Sequence, residues 1–285
     1  MQIPHKKHLV AAATLIGRSE KEASLFLERL RARPIPFTFW GHAEESALLT
    51  TEGAGSIATF MISPPEKNNS KLLLQTIQVA KLSLAQKGIA TAHAILGEFD
   101  LLSLQLLLKA EFTKLAILQY MEMDVRQGPC SSSNEEIAFH AAMSRTDDVL
   151  SKTLQKTFIG SLDCPAIHGK RNINHILESH QGYDPNDLSL WFTILYQGEP
   201  AGVLLLNQPE HNRHLDLAYL GIIPKMRKKG IAKEAITHAV SQAINRGCNK
   251  INLAVDSNNA HAIHLYKKAN FQETARRIAM FCPLQ

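Results

Sequence analysis

The chain repeats itself at one fixed interval, and that constrains its fold more than any local pattern does. Gly88 and Gly247 stand 159 residues apart (247 − 88), and the same interval, without a gap, lays Pro65 on Pro224, Leu106 on Leu265, Lys109-Ala110 on Lys268-Ala269, Phe112 on Phe271, Ala116 on Ala275 and Met121 on Met280. Solenoid units repeat every 20–50 residues or so, so an interval this long is a whole domain present twice. Residues 127–133, QGPCSSS, are rich in turn formers and separate the copies. The expected organisation is a first domain over 1–126, a linker over 127–133 and a second domain over 134–285.

The second copy carries the more specific pattern. Leu215 to Ile223 is apolar apart from Asp216, long enough for one buried strand, and Pro224 ends it because proline donates nothing to a sheet ladder. Arg227, Lys228 and Lys229 then precede Gly230 and a helix expected to run to about Asn245, with Ile231, Ala235, Ile236, Ala239, Val240 and Ala243 close to one face. A helix N-terminus offers unpaired N–H groups and the positive end of the macrodipole. A loop without bulk, here at Gly230 and Ala232, lets a phosphate reach them. Read without any comparison, the same residues also suit a solvated, basic helix start. Ile251 to Val255 reads as a strand and Ala260 to Ala269 as a helix.

Two stretches carry a family resemblance. Arg227-x-x-Gly230-x-Ala232 resembles the Arg/Gln-x-x-Gly-x-Gly/Ala loop of the GNAT superfamily of acetyl-CoA-dependent acetyltransferases. Asn259-x-x-Ala262-x-x-Leu265-Tyr266, followed by Ala269-Asn270-Phe271, resembles that family's next helix and turn, with Asn270 where glycine is usual. Asparagine tolerates left-handed backbone angles, so the departure is mild. The resemblance implies an α/β fold with a mixed (α+β) sheet, in two tandem GNAT-type domains, an arrangement similar to that of mycothiol synthase. It implies acetyl-CoA as cosubstrate, held by Leu220, Gly221, Ile222, Arg227, Lys228, Lys229, Gly230, Ile231, Ala232, Asn259 and Ala262. Subtracting the interval gives Ile57 for Asp216, Asn68 for Arg227, Lys71 for Gly230, Leu73 for Ala232, Asp100 for Asn259 and Leu107 for Tyr266. Core positions survive in the first copy and chemical ones do not. The N-terminal domain is therefore expected to be degenerate, kept for packing or for walling a substrate cleft.

Acetyl transfer from a thioester to an amine needs a base to take the ammonium proton and an acid to protonate the departing thiolate. The family resemblance points to Asp216 as a base acting through water and to Tyr266 as the acid. Strand alternation places Asp216 with Ala218, Leu220 and Ile222, and a backbone N–H near Leu220–Ile222 is expected to polarise the thioester carbonyl. Each residue also has a plainer reading: Asp216 as a strand-start carboxylate paired with Arg213 or His214, and Tyr266 as a core aromatic. Within residues 161–182, Cys164, His168, Arg171 and His175 are either acceptor contacts or a Cys-Pro turn beside surface histidines.

Composition narrows the remaining classes. A net charge of +5 from 31 Lys+Arg against 26 Asp+Glu favours anionic ligands without requiring nucleic acid, and no basic–aromatic interleaving points to it. Four scattered cysteines form no metal-ligand spacing, so no metal is expected, and Cys248 and Cys282 read as packing residues. Residues 5–17, HKKHLVAAATLIG, briefly resemble a signal start, but their apolar run is short and lacks a small-x-small cleavage site, so they read as a helix, followed by a capping box at Ser19-x-x-Glu22. No stretch approaches a membrane span, and the expected setting is cytoplasmic. Strands are expected around 36–41, 46–51 and 56–62, a hairpin over 191–206, and helices from Asn134 and from Asp147 to Phe158. The expected partner is a small-molecule or peptide amine; its identity, the acyl length and the oligomeric state are not readable. The alternative function is a catalytically inactive acyl-CoA-binding regulatory or scaffold protein.

Overall fold

A computed structural model describes residues 1–129, 134–144, 147–165, 172–180, 187–209 and 213–284. The chain forms two compact units, Met1–Ala116 with Arg277–Gln285, and Ile117–Arg276. Neither unit is one copy of the repeat.

The first unit begins with helices α1 (His8–Ile16) and α2 (Glu20–Arg31). The Ser19 side chain accepts from the Glu22 N–H, and Glu22 reaches back to the Ser19 N–H, which fixes the start of α2. Strands β1 (Phe37–His42), β2 (Ser46–Gly53) and β3 (Ile57–Ile62) form an antiparallel meander, followed by α3 (Ser70–Gln86), β4 (Thr91–Gly97) and α4 (Leu101–Lys109). β3 and β4 pair in parallel. The core under α3 is Leu73, Ile77, Ala80 and Leu84 against Leu48, Phe60, Ala92 and Phe112.

The second unit orders its strands as β6 (Ile137–Ala141), β7 (Trp191–Tyr196), β8 (Glu199–Asn207), β9 (His214–Ile222) and β10 (Lys250–Asp256), all neighbours antiparallel except β9 and β10. Helices α5 (Asp148–Thr157) and α6 (Ile173–Ser179) pack with Trp191, Val203 and Leu205; α7 (Ile231–Asn245) and α8 (Ala260–Lys268) contribute to a separate, larger core. The helix expected from Asn134 is not formed. The Asn134 carboxamide accepts from the Glu136 N–H, which closes a turn, and Ile137–Ala141 then pairs with β7, so an edge strand takes the place of the helix. The hairpin expected over 191–206 turns on Gln197 and Gly198, both at positive φ (51° and 81°), with Pro200 already inside β8.

The repeat interval holds element by element. β4, α4 and the strand β5 (Thr113–Asp124) lie 159 residues before β10, α8 and the strand β11 (Gln272–Pro283), end for end. The last strands of the two copies are exchanged between the units. β5 joins the second unit beside β10, with Met121 opposite Leu253, and β11 joins the first unit beside β4, with Met280 opposite Ala94. Those two pairs are equivalent under the interval. Ile278, Met280, Cys282 and Leu284 are accordingly buried in the first unit's core, although they end the second copy.

This pairing makes a prediction. Met280→Ala removes a buried side chain from the first unit and should cost it about 2–5 kcal/mol. Hydrogen exchange should quicken in α3 and stay unchanged in α7; the reverse pattern would contradict the strand assignment.

Candidate functional site

β9 and β10 start together and then part. Their registered pairs are His214 with Lys250, Leu215 with Ile251 and Asp216 with Asn252, and none follows. On its other side β9 continues to pair with β8 as far as Ile222, with one extra residue: Leu206 faces Leu217 and Leu205 faces Tyr219, which leaves Ala218 as the bulge. A bulge adds one residue and so reverses which face each later side chain takes. Leu215 and Leu217 lie in the core under α7; past the bulge it is Leu220 and Ile222 that pack there, while Ala218 and Tyr219 pack on the α5–α6 cluster. The alternation that would group Asp216 with Leu220 and Ile222 is therefore broken at Ala218.

Between the parted strands lies a cavity of about 460 Å³, lined by Leu217–Ile222 of β9, Ala254 and Val255 of β10, the loop into α7, and residues of α8. The N-cap of α7 is Gly230, at φ 81°, and no side chain caps the helix. Around Gly230 a Cβ would meet nothing within 4 Å. The equivalent helix in the first unit is closed: the Asn69 carboxamide accepts from the Leu72 N–H, 3.1 Å away. The first turn of α7 thus carries no side-chain cap, and the dipole there favours an anion.

The sequence-expected residues are mostly brought together. Leu220, Gly221, Ile222, Arg227, Lys228, Gly230, Ile231, Ala232, Asn259, Ala262 and Tyr266 all line the cavity. Lys229 does not; its Nζ sits 4.7 Å from the centre of the Tyr196 ring, a cation–π contact. Arg227 lines the wall, but its guanidinium donates to the carbonyls of Ile222, Thr157, Ile159 and Gly160. Asn259 caps α8, its Oδ1 accepting from the Ala262 N–H at 3.2 Å, as Asp100 caps α4.

Tyr266 is buried and lines the cavity, edge-on to Phe271 with the ring centres 5.5 Å apart. Burial pushes its phenol well above the ordinary value, and Asp163 and Tyr219 add to the effect. Tyr219, hydrogen-bonded to the Thr157 hydroxyl at 2.6 Å, is pushed up to about 12, also chiefly by burial. Both rings are held neutral. Asp163 lines the same cavity and was not singled out in sequence: its Oδ1 accepts from the Asp256 N–H at 3.0 Å, and Asp256 in turn accepts from the Cys164 N–H at 3.2 Å. No local sequence signal marks it. Burial lifts the Cys164 thiol to about 12, which leaves it protonated and a poor nucleophile. His175 is half-buried on α6; His168 and Arg171 lie outside the described residues.

Asp216 lines a second cavity of about 500 Å³ with Tyr120, Glu122, Asn252 and Thr274. The two cavities share the lining residues Leu217, Ala218 and Ala254, where β9 and β10 part. Burial raises the Asp216 pKa, opposed by His214, whose Nε2 lies 3.6 Å away, and by the Asn252 amide. Among the described residues no group of His, Cys, Asp and Glu is arranged to hold a metal ion.

Comparison with known proteins fits this geometry. The family model described as Acetyltransferase (GNAT) family matches residues 162–271, the segment that builds most of the first cavity. A curated acetyltransferase from Sodalis glossinidius (strain morsitans) is 31% identical over 108 residues, 38% of this chain and 67% of the relative. The chain belongs to the GNAT acetyltransferase family. Two solved structures share the fold along nearly its whole length. A GCN5-related N-acetyltransferase from Sphaerobacter thermophilus has a TM-score of 0.63 at 14% identity, over 98% of this chain and 91% of that one. A tandem GNAT protein from the clavulanic acid biosynthesis pathway has a TM-score of 0.57 at 9% identity, over 98% and 93%. The tandem GNAT architecture thus accounts for the repeat, and the family's match falls in the second copy, where the uncapped helix is.

Asp216 gives the site a testable energetic signature. A carboxylate whose folded pKa is raised opposes folding once ionised: the penalty is complete well above both its folded and unfolded values and vanishes below the unfolded one. Asp216→Asn should raise the unfolding midpoint at pH 7 and raise it less at pH 4. A lowered midpoint at pH 7 would contradict the burial effect.

Proposed function

We propose that this GNAT protein transfers an acetyl group from acetyl-CoA to a primary amine of a small molecule or peptide. One observation carries the reading: a cavity leading from an uncapped helix N-terminus shares the wall residues Leu217, Ala218 and Ala254, at the parted strands, with a second cavity that holds a carboxylate. In this reading the coenzyme's diphosphate lies on the backbone N–H groups of Lys228–Ala232. The pantetheine amides pair with the edge of β9 that β10 vacates, near Leu220, Gly221 and Ile222. Asn259 and Ala262 flank the chain from α8, and Asn259 retains its amide N–H₂ for it, since its capping bond uses Oδ1.

The amine enters from the second cavity. Asp216, through a water, takes the ammonium proton, and its raised pKa makes it a better base than an exposed aspartate. The freed nitrogen attacks the thioester carbon, and a β9 N–H stabilises the oxyanion. As the C–S bond breaks, the thiolate takes the proton that burial keeps on the Tyr266 phenol, and the second proton, which the nitrogen sheds in becoming an amide, returns through water to the phenolate and restores the acid.

Acetyl-CoA at a hundredfold excess over Kd should stabilise the protein by about 2.7 kcal/mol. Gly230→Asp, which puts a carboxylate where the diphosphate lies, should abolish that gain. Lys71→Asp at the equivalent first-copy position should leave it intact. Equal loss from both changes rejects a single active half. With an amine selected from a panel by coenzyme A release, Tyr266→Phe should cut turnover by about 10²-fold or more, with acetyl-CoA affinity held within about twofold; unchanged turnover removes Tyr266 as the acid.

A further inference from the structure

Arg227 begins the phosphate-loop motif, yet its guanidinium is committed elsewhere. Nε donates to the Ile222 carbonyl at 3.0 Å, Nη1 to Gly160 at 3.0 Å, and Nη2 to Thr157 at 3.2 Å and Ile159 at 2.7 Å. A guanidinium has five N–H donors, so four of these bonds leave it at most one for a ligand. Three of the four acceptors sit at and just beyond the C-terminus of α5, where carbonyls lack intrahelical partners and the helix dipole is negative. The cation stands where that helix end most favours one.

The segment it holds is a wall of the first cavity. Thr157, Gly160, Ser161, Leu162 and Asp163 line it. The far end of the segment is fastened to β10 by the Asp256 N–H bond to Asp163 and the Cys164 N–H bond to Asp256. The near end is fastened by Arg227, which belongs to the loop that leads through Lys228, at φ 64°, into the N-cap Gly230. A backbone adjustment in that loop therefore moves the guanidinium that holds the wall.

Resting on the coenzyme reading above, we propose that Arg227 is a positioning residue that ties the wall over residues 157–163 to the phosphate loop, so that coenzyme bound to the loop orders the wall, and that its side chain is not a phosphate ligand. Lysine does not replace it. An ammonium has three donors around a point and does not span four carbonyls in a fixed fork.

Hydrogen exchange and calorimetry on the full chain test this with wild type, R227Q and R227K. Without ligand, amides of 158–164 should exchange at least tenfold faster in both variants, with α7 unchanged as evidence that the unit is folded. Unchanged exchange in the wall overturns the clamp. With saturating coenzyme A, wild type should slow at both 228–232 and 158–164, whereas R227Q should slow at 228–232 alone; equal slowing of the wall in both overturns the coupling. The ratio of coenzyme A to pantetheine affinity should stay within about twofold of wild type in R227Q. A tenfold loss confined to coenzyme A makes Arg227 a phosphate ligand and overturns the proposal. If wild type binds no coenzyme A, the acetyl-CoA reading and the coupling both fail, and the ligand-free comparison still decides whether the clamp exists.

Discussion

The site depends on two strands that stop pairing. After Asn252 and Asp216, β10 leaves the edge of β9, while the bulge at Ala218 turns β9 over. A strand edge in a cleft carries N–H and C=O groups that need partners, and an extended ligand with amides of its own supplies them as an added strand does. The bulge separates the chemistry. Asp216 lies in one cavity and Leu220–Ile222 in the other, so in the proposed reaction a base and a thioester approach the same gap from different sides.

The first copy shows what the same fold becomes without these features. Asn69 satisfies the start of α3, where Gly230 leaves α7 open. Leu73, fully buried, occupies the position of Ala232, and Phe60 occupies that of Tyr219. Both substitutions exchange access for packing. Glu111 and Asn270, equivalent in the repeat, keep the same left-handed turn after α4 and α8, with φ of 69° and 68°. The copies have thus retained a common backbone geometry while the side chains around the helix N-termini diverged.

Much of this was legible in the chain. The interval predicts matching elements because core spacing is set locally, by strand and helix periods, and β4, α4 and β5 recur as β10, α8 and β11 without adjustment. The loop and α8 motifs locate the first cavity for the same reason. What sequence did not reveal is set by distant partners. The exchange of β5 and β11 depends on which edge each strand meets, and the Ala218 bulge on the register of β8. Arg227 reads as a phosphate contact because three of its four carbonyl acceptors lie 67 to 70 residues earlier, at the end of another helix. Asp163 was missed because only the fold brings it to Asp256, and the Asn134 helix was replaced because β7 offered an edge.

The most direct measurement is a crystal structure grown with acetyl-CoA. The account predicts the diphosphate within hydrogen-bond distance of the backbone amides of Lys228–Ala232, the pantetheine along β9 and the thioester sulfur beside the Tyr266 hydroxyl. A coenzyme seated at the start of α3, or a cavity still empty at saturating concentration, would contradict it.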